Sequence, residues 1–168
     1  MTADEGRFGR LGQVMRAWCP DGTRPEVSQQ MVRDYIYAFV AVAPASGQMT
    51  ALVLPFSNTT MMNLFLAQVE KEFSGFFVVM QVDGASYHNS QELIITENIR
   101  LITQPPRSAE LNPTEHIWEE IREKHFYNRV FDTLDAVSDT LCQGLKDLIA
   151  LPEKIKSMTY FPHLRITV

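Results

Sequence analysis

An α/β domain, a mixed β-sheet with helices packed on it, is the fold class that the order of patterns along the chain predicts. Three observations carry that prediction. Two runs rich in β-branched and aromatic residues flank a Ser46-Gly47 turn signal, a helical repeat of apolar residues follows, and short apolar runs then alternate with further helical repeats. The size suits one unit: 168 residues, 45% apolar and 21% charged, bury a sizeable core without needing a division into domains. A single domain over residues 1–168 is therefore expected.

The elements follow in chain order. Residues 14–18 form a short strand candidate. Residues 35–43, Tyr-Ile-Tyr-Ala-Phe-Val-Ala-Val-Ala, make a strand that stops at Pro44, and residues 48–54 return as its hairpin partner. Met62, Phe65, Leu66, Val69 and Phe73 recur at intervals of three and four, which predicts a helix from about Asn58 to just before Gly75. Residues 76–82, a continuous apolar run ending at Asp83-Gly84, read as a strand buried on both faces. A short helix over 90–97 leads to a strand at 99–102 and a proline-rich loop at 104–110.

Asn112-Pro113-Thr114-Glu115 is a helix start: Asn suits the N-cap, Pro the first helical position, and Glu the third, from which it reaches back to the cap. Val130, Leu134, Val137, Leu141, Leu145 and Leu148 mark a long amphipathic helix, and residues 151–158 a last short one.

Several functional classes drop out on composition. Two cysteines, Cys19 and Cys142, build neither a disulfide framework nor a four-ligand zinc cluster, and the four histidines show no HExxH spacing. A reducing cytoplasm is the expected compartment. No basic flank with an apolar run opens the chain, so neither a secretory leader nor an anchor is expected. Residues 35–69 contain no charge, yet Pro44, Gly47, Pro55 and a polar Ser57-Asn58-Thr59-Thr60 cut them below the roughly 18–20 apolar residues of a spanning helix. No membrane partner is expected. The net charge of −5 argues against gripping nucleic acid by bulk charge, although it leaves room for an enzyme whose own site is acidic.

Three acidic residues stand out by position. Asp83 lies at the carboxyl end of a strand, where α/β sheets place their ligands, and equally before Gly84, where an Asp forms turns. Glu115, in a first helical turn, is either a capping residue or a site carboxylate. Asp4 stands too near the start for periodicity to place it.

The motifs around these residues carry a resemblance. Gln104-Pro-Pro-Arg-Ser-Ala-Glu-Leu-Asn-Pro-Thr-Glu-His-Ile-Trp118 resembles the PPxSPELNPIExxW signature of the mariner-like transposases and their bacterial insertion-sequence relatives. Val82-Asp83-Gly84-Ala85-Ser86-Tyr87-His88 is similar to their DNAxxH segment and Asp4-Glu5-Gly6-Arg7-Phe8-Gly9 to their DExRFG opening. Arg16-Ala-Trp-Cys-Pro-Asp-Gly-Thr-Arg-Pro25 matches the RxWxPxGxRP stretch between them.

The resemblance implies a ribonuclease-H-like fold and an Asp-Asp-Glu triad of Asp4, Asp83 and Glu115. It further implies two Mg²⁺ or Mn²⁺ ions on those carboxylates and double-stranded DNA as the substrate for cleavage and strand transfer. Hard carboxylate oxygens suit such ions, which flank the attacking and leaving oxygens of an in-line displacement at phosphorus. Asp4 is then expected on a strand beside the one ending at Asp83, with Glu115 on a helix facing both.

The chain departs from the family pattern at Gly84, where Asn is usual, and at Arg107, where an aromatic is usual. Only three residues precede Asp4, and no amino-terminal helix-turn-helix is seen. Those departures leave two other readings: a truncated or split transposase that multimerises with itself or with a full-length enzyme, and a metal-dependent nuclease of the same fold. Bland roles are expected nearby. Trp118 and Ile121 fall at core spacing, Glu5 is structural, and His88 either orients a neighbouring group, contacts DNA or sits on the surface. Arg7, Arg10, Arg16, Arg24 and Arg33 read as a salt-bridged surface or as phosphate contacts.

Overall fold

A computed structural model describes residues 1–16 and 18–162. Five strands, β1 (Thr2–Leu11), β2 (Met31–Ala43), β3 (Gln48–Leu54), β4 (Val78–Val82) and β5 (Ile99–Thr103), form one sheet in the order β3-β2-β1-β4-β5. The β1–β2 and β2–β3 pairs are antiparallel, whereas β4 runs parallel to β1 and β5 parallel to β4, so the sheet is mixed as expected. Helix α1 (Thr59–Glu72) covers one face. Helices α2 (Glu115–His125), α3 (Leu134–Ile149) and α4 (Pro152–Thr159) pack on the other.

Side-chain alternation along the strands explains the two cores. Phe8, Ile36, Ala38, Val40 and Val42 point to the side of α2, α3 and α4, where Trp118, Ile121, Val137, Leu141 and Leu145 meet them. Ala3, Phe39 and Ala41 point the other way, against Met62, Phe65, Leu66 and Val69 of α1. Asn58 caps α1 by accepting from the Met61 N–H at 3.0 Å, and Thr133 caps α3 by accepting from Ala136 at 3.1 Å. No helix among the described residues is long and apolar enough to cross a membrane.

Four expectations change. Residues 14–16 and 18 are irregular, not a strand. The register between β1 and β2 shifts at Gly9 and Leu11, the chain then leaves the sheet, and the Asn128 side chain serves both backbone groups of Met15. The first strand lies earlier, in the weakly apolar stretch Thr2–Leu11, because its long pairing with β2 supplies what periodicity lacks.

Strand β4 is buried on one face only. Val78, Met80 and Val82 are covered, but Phe76, Phe77 and Val79 are exposed, since the α2–α4 core includes no residue of β4 or β5. No helix forms over 90–97; a 3₁₀ turn at Ser86–Asn89 precedes an irregular stretch with a turn at residues 91–92, closed by the Leu93 N–H on the Ser90 carbonyl at 3.2 Å. There Asn63 of α1 donates to the Glu92 carbonyl and accepts from the Ile94 N–H, taking the groups a helix would need. Helix α3 begins at Leu134, leaving Val130 exposed outside it.

Candidate active site

Strand register sets the first two carboxylates side by side. Thr2 of β1 pairs in parallel with Gln81 of β4, so two residues further on Asp4 is level with Asp83, just past the carboxyl end of β4. There β4 stops while β1 continues to Leu11, which leaves an open notch at the edge of β1. Pro105 and Pro106 after β5 and the start of α2 close around it. Asp4, Asp83 and Glu115 line one cavity of about 350 Å³, together with Gly84, Arg107 and Asn112. Their carboxylate oxygens are nevertheless not drawn into a tight cluster: among the described residues, the acidic or histidine group within 4.8 Å of one another is Glu5, Asp83 and His88.

Asp4 is held on both oxygens. Its Oδ2 accepts from Trp118 Nε1 at 2.9 Å and from Asn112 Nδ2 at 3.0 Å, and its Oδ1 accepts from the Glu5 N–H at 2.9 Å. Trp118 is buried in the core, as its spacing predicts, but its indole N–H is a polar handle that periodicity does not reveal. Gly6 makes the approach possible: a Cβ there would stand 2.8 Å from Trp118 Cδ2 and from Phe8 Cε2. Burial, first, and the negative charges of Glu5 and Glu115 push the Asp4 carboxyl up to about 6 against the pull of the Trp118 and Glu5 N–H groups.

Glu115 is not the third residue of a capping box. The Asn112 Oδ1 accepts from the Thr114 N–H at 3.1 Å and its carbonyl from Glu115 at 3.3 Å, a tight turn that delays the helix to Glu115 itself. With its amide group engaged at Thr114 and at Asp4, Asn112 works as a brace between α2 and β1. Glu115 is thereby exposed, with no hydrogen bond to the cap, and faces the cavity from the first turn of α2.

A second set of contacts lies on the opposite face of β1. Asp83 Oδ1 accepts from the Ala85 N–H at 2.9 Å and is 2.9 Å from His88 Nδ1. His88 is buried, not on the surface, and its Nε2 is 3.2 Å from Glu5 Oε1. Tyr87 donates its hydroxyl to Glu5 Oε2 at 2.9 Å and accepts from Ser57 at 3.0 Å. Burial disfavours the imidazolium, yet the hydrogen bond and charge of Glu5, with Asp83 behind it, outweigh burial and hold His88 above its ordinary value. Burial and the Glu5 charge likewise raise Tyr87. The signal for Asn112 and Tyr87 as site residues was their place inside the two motifs, not any periodicity.

The residues fit a divalent cation by their chemistry. Asp4 and Glu115 have no ion-pair partner among the described residues, and the rise of Asp4 to about 6 comes first from burial and then from the neighbouring charges of Glu5 and Glu115, with no cation to offset them. Hard oxygens on three separate elements are the donor set that Mg²⁺ or Mn²⁺ takes.

A mixed α/β sheet with an acidic cavity at the carboxyl ends of its parallel strands defines the class. The sequence profile of the DDE superfamily endonuclease family matches residues 1–138, and the chain belongs to that family. Among curated proteins it is 35% identical over 125 residues to the uncharacterized protein y4pE/y4sA of Sinorhizobium fredii (strain NBRC 101917 / NGR234), covering 74% of this chain and 93% of that protein.

The fold is that of the Mos1 mariner transposase catalytic domain, the ribonuclease-H-like arrangement the resemblance implied: the solved domain superposes with a TM-score of 0.52 at 14% identity, over 95% of this chain and 82% of that one. The Mos1 paired-end complex with the left transposon end matches at TM-score 0.61 and 15% identity, and the paired-end complex with Mn at 0.61 and 14%; each match covers 95% of this chain and 55% of that chain. The chain thus spans about half the length of those two transposase chains.

Proposed function

We propose that this chain is the catalytic domain of a DNA transposase that cuts and joins double-stranded DNA with two divalent ions, Mg²⁺ or Mn²⁺, held by Asp4, Asp83 and Glu115. The observation that carries the reading is the convergence of these three carboxylates, from β1, the end of β4 and the start of α2, on one cavity. The solved Mos1 complexes, which include a transposon end, Mn and Mg, support DNA and divalent metal as its partners. Two such ions supply a lowered pKa for an attacking water or 3′-hydroxyl and positive charge at the leaving oxygen.

The protein's own part is positioning. Trp118 and Asn112 fix the Asp4 carboxylate, and His88 with the Ala85 N–H fixes that of Asp83. The Glu115 side chain, exposed and with no hydrogen bond among the described residues, is able to turn toward the ligand. Arg107, on the cavity wall in a left-handed conformation at φ 60°, offers a guanidinium to a phosphate. The reading treats residues 1–168 as one catalytic unit in the cytoplasm, working as a homodimer or with a full-length transposase.

The test is cleavage and strand transfer on labelled duplex DNA with Mg²⁺ or Mn²⁺, run beside EDTA and the Asp83→Asn variant. Metal-dependent products in the parent and none in the variant are expected. Equal products from both would overturn the assignment. A folded chain that binds metal yet neither cuts nor joins DNA would favour the non-catalytic transposase fragment instead.

A further inference from the structure

A second cavity, of about 220 Å³, opens on the same edge of β1 beyond the acidic notch. Three arginines line it, Arg7 of β1, Arg122 of α2 and Arg129 after α2, and no carboxylate does. None of the three forms an ion pair among the described residues, in a chain with net charge −5, whereas nearby Arg10 lies 3.9 Å from Asp34. Each guanidinium is instead stacked on an aromatic ring: Arg7 over Tyr35 at 4.7 Å, Arg122 over Phe8 at 5.2 Å and Arg129 over Phe131 at 5.4 Å. Stacking immobilises the plane and leaves its edge N–H groups as donors, the arrangement that suits a phosphate. Of these donors one is already used, Arg129 Nη1 on the His125 carbonyl at 3.0 Å.

We infer that this cavity is a binding site for a backbone phosphate of duplex DNA, next to the acidic cavity and separate from it. The inference rests on the DNA reading above and extends it. Arg122 follows Glu115 by seven residues, hence on the same face of α2 and ~10 Å along it. Arg7 follows Asp4 by three, ~10 Å along β1 but on the other face of the strand, over Tyr35, and lines the cavity together with Arg122 where that edge of β1 has no neighbour beyond the end of β4. At a rise of about 3.4 Å per nucleotide, a strand whose scissile phosphate lies in the acidic cavity passes the arginines about three nucleotides away. The Arg7 of the Asp4-Glu-Gly-Arg-Phe-Gly9 motif, which the carboxylate chemistry leaves without a role, is thereby used.

The experiment is fluorescence anisotropy of a labelled duplex with the full chain in EDTA, over a salt series, for the parent and for Arg7→Gln, Arg122→Gln and Arg129→Gln. Lys71→Gln, in the last turn of α1 and outside the cavity's lining, makes the same change of net charge as a control. Each cavity variant is expected to bind duplexes of any sequence more weakly, with a log–log salt slope shallower by about 1. The control slope stays that of the parent. Arg122→Lys retains the charge but not the planar fork, and covers the case in which the glutamine variant melts early; it is expected to weaken binding while keeping the slope.

Parent-like slopes in all three folded variants, with metal-dependent cleavage by the parent intact, would overturn the phosphate site and leave the catalytic reading standing. A parent that binds no duplex even at low salt would overturn both. Inorganic phosphate provides the other arm: if it stabilises the parent against heat, and the arginine variants lose that response while keeping DNA affinity, the cavity holds a free anion and the inference fails.

Discussion

Replacing Asp4 by asparagine should stabilise the metal-free protein at neutral pH, an uncommon result for a hydrogen-bonded, half-buried residue. In the folded chain Asp4 titrates at about 6, against an ordinary 3.8, mainly through burial and then through Glu5 and Glu115. A carboxyl raised on folding holds its proton more tightly in the folded state. Its contribution to stability is therefore whole below pH 4, declines as pH rises through 6, and is gone above it. The gap between 3.8 and about 6 corresponds to ~3 kcal/mol at pH 7.

Asparagine removes that penalty but gives back part of the gain. It presents only one acceptor oxygen to the three N–H donors on Asp4, so about 1 kcal/mol or somewhat more is lost. A net gain of ~1–2 kcal/mol remains, or a Tm higher by roughly 2–8 °C for a chain of this size. The assay is thermal unfolding of parent and Asp4→Asn from pH 4 to 8 in EDTA, then with Mg²⁺ or Mn²⁺. The difference between the two should open between pH 4 and 6, and the metal should raise the Tm of the parent far more than that of the variant. A variant no more stable than the parent at pH 7, with a difference that does not change with pH, would refute the account of a charge held there at a cost.

The other expectations concern the neighbours of Asp4. Glu115→Gln should fold with parent-like stability, because Glu115 makes no capping hydrogen bond, while its Mg²⁺- or Mn²⁺-dependent thermal shift and cleavage fall sharply; an unchanged metal response in thermal melts would show that Glu115 is no ligand. Trp118→Phe keeps most of the ring but takes away the N–H on Asp4, so NMR titration of the carboxyl should find it above the parent's value of about 6, and a value at or below it would be incompatible with the hydrogen bond. Gly6→Ala places a methyl 2.8 Å from the Trp118 ring and should cost about 1–3 kcal/mol in denaturant unfolding; a neutral result would mean that the indole is not pressed against β1.

Most of the fold was legible where burial is one-sided and local. The turn of the β2–β3 hairpin, β3 and α1 appear at nearly their expected limits because apolar periodicity, a turn and an Asn cap agree there, whereas β2 begins earlier, at Met31, where its pairing with Leu11 of β1 extends it. Strand β1 was not legible from its own residues. Gly6, Arg7 and Gly9 give no apolar face, and the strand exists through pairing with β2 at one side and Trp118 above it. Residues 90–97 misled for a related reason: their backbone groups are claimed by Asn63, a residue from another element. At the candidate site, the motifs single out Asp4, Asp83 and Glu115, which line one cavity, but only three-dimensional structure reveals that Trp118 of α2 and Asn112 in the turn before it hold Asp4 from over a hundred positions away. It equally ties His88 to Glu5 and Asp83.

The Asp4-Glu5 pair shows why β1 is the element on which the site depends. Consecutive strand residues point to opposite faces, so Asp4 meets Asn112 and Trp118 on the α2 side while Glu5 meets Tyr87 and His88 on the other. His88 in turn reaches Asp83, which lines the same cavity as Asp4. The two faces are thus joined around the strand end in a loop of contacts from Trp118 through Asp4, Glu5 and His88 to Asp83. A shift of β1 by one residue against β4 would exchange the faces of Asp4 and Glu5 and break every link at once. What opposes that shift is a short parallel pairing, Thr2 with Gln81 and the Gln81 N–H on the Met1 carbonyl at 2.9 Å, backed by the much longer ladder to β2. The pairing of β1 with β4 at Thr2 and Gln81, two residues before each carboxylate, is therefore what sets Asp4 level with Asp83, while the β1–β2 ladder holds β1 itself in the sheet.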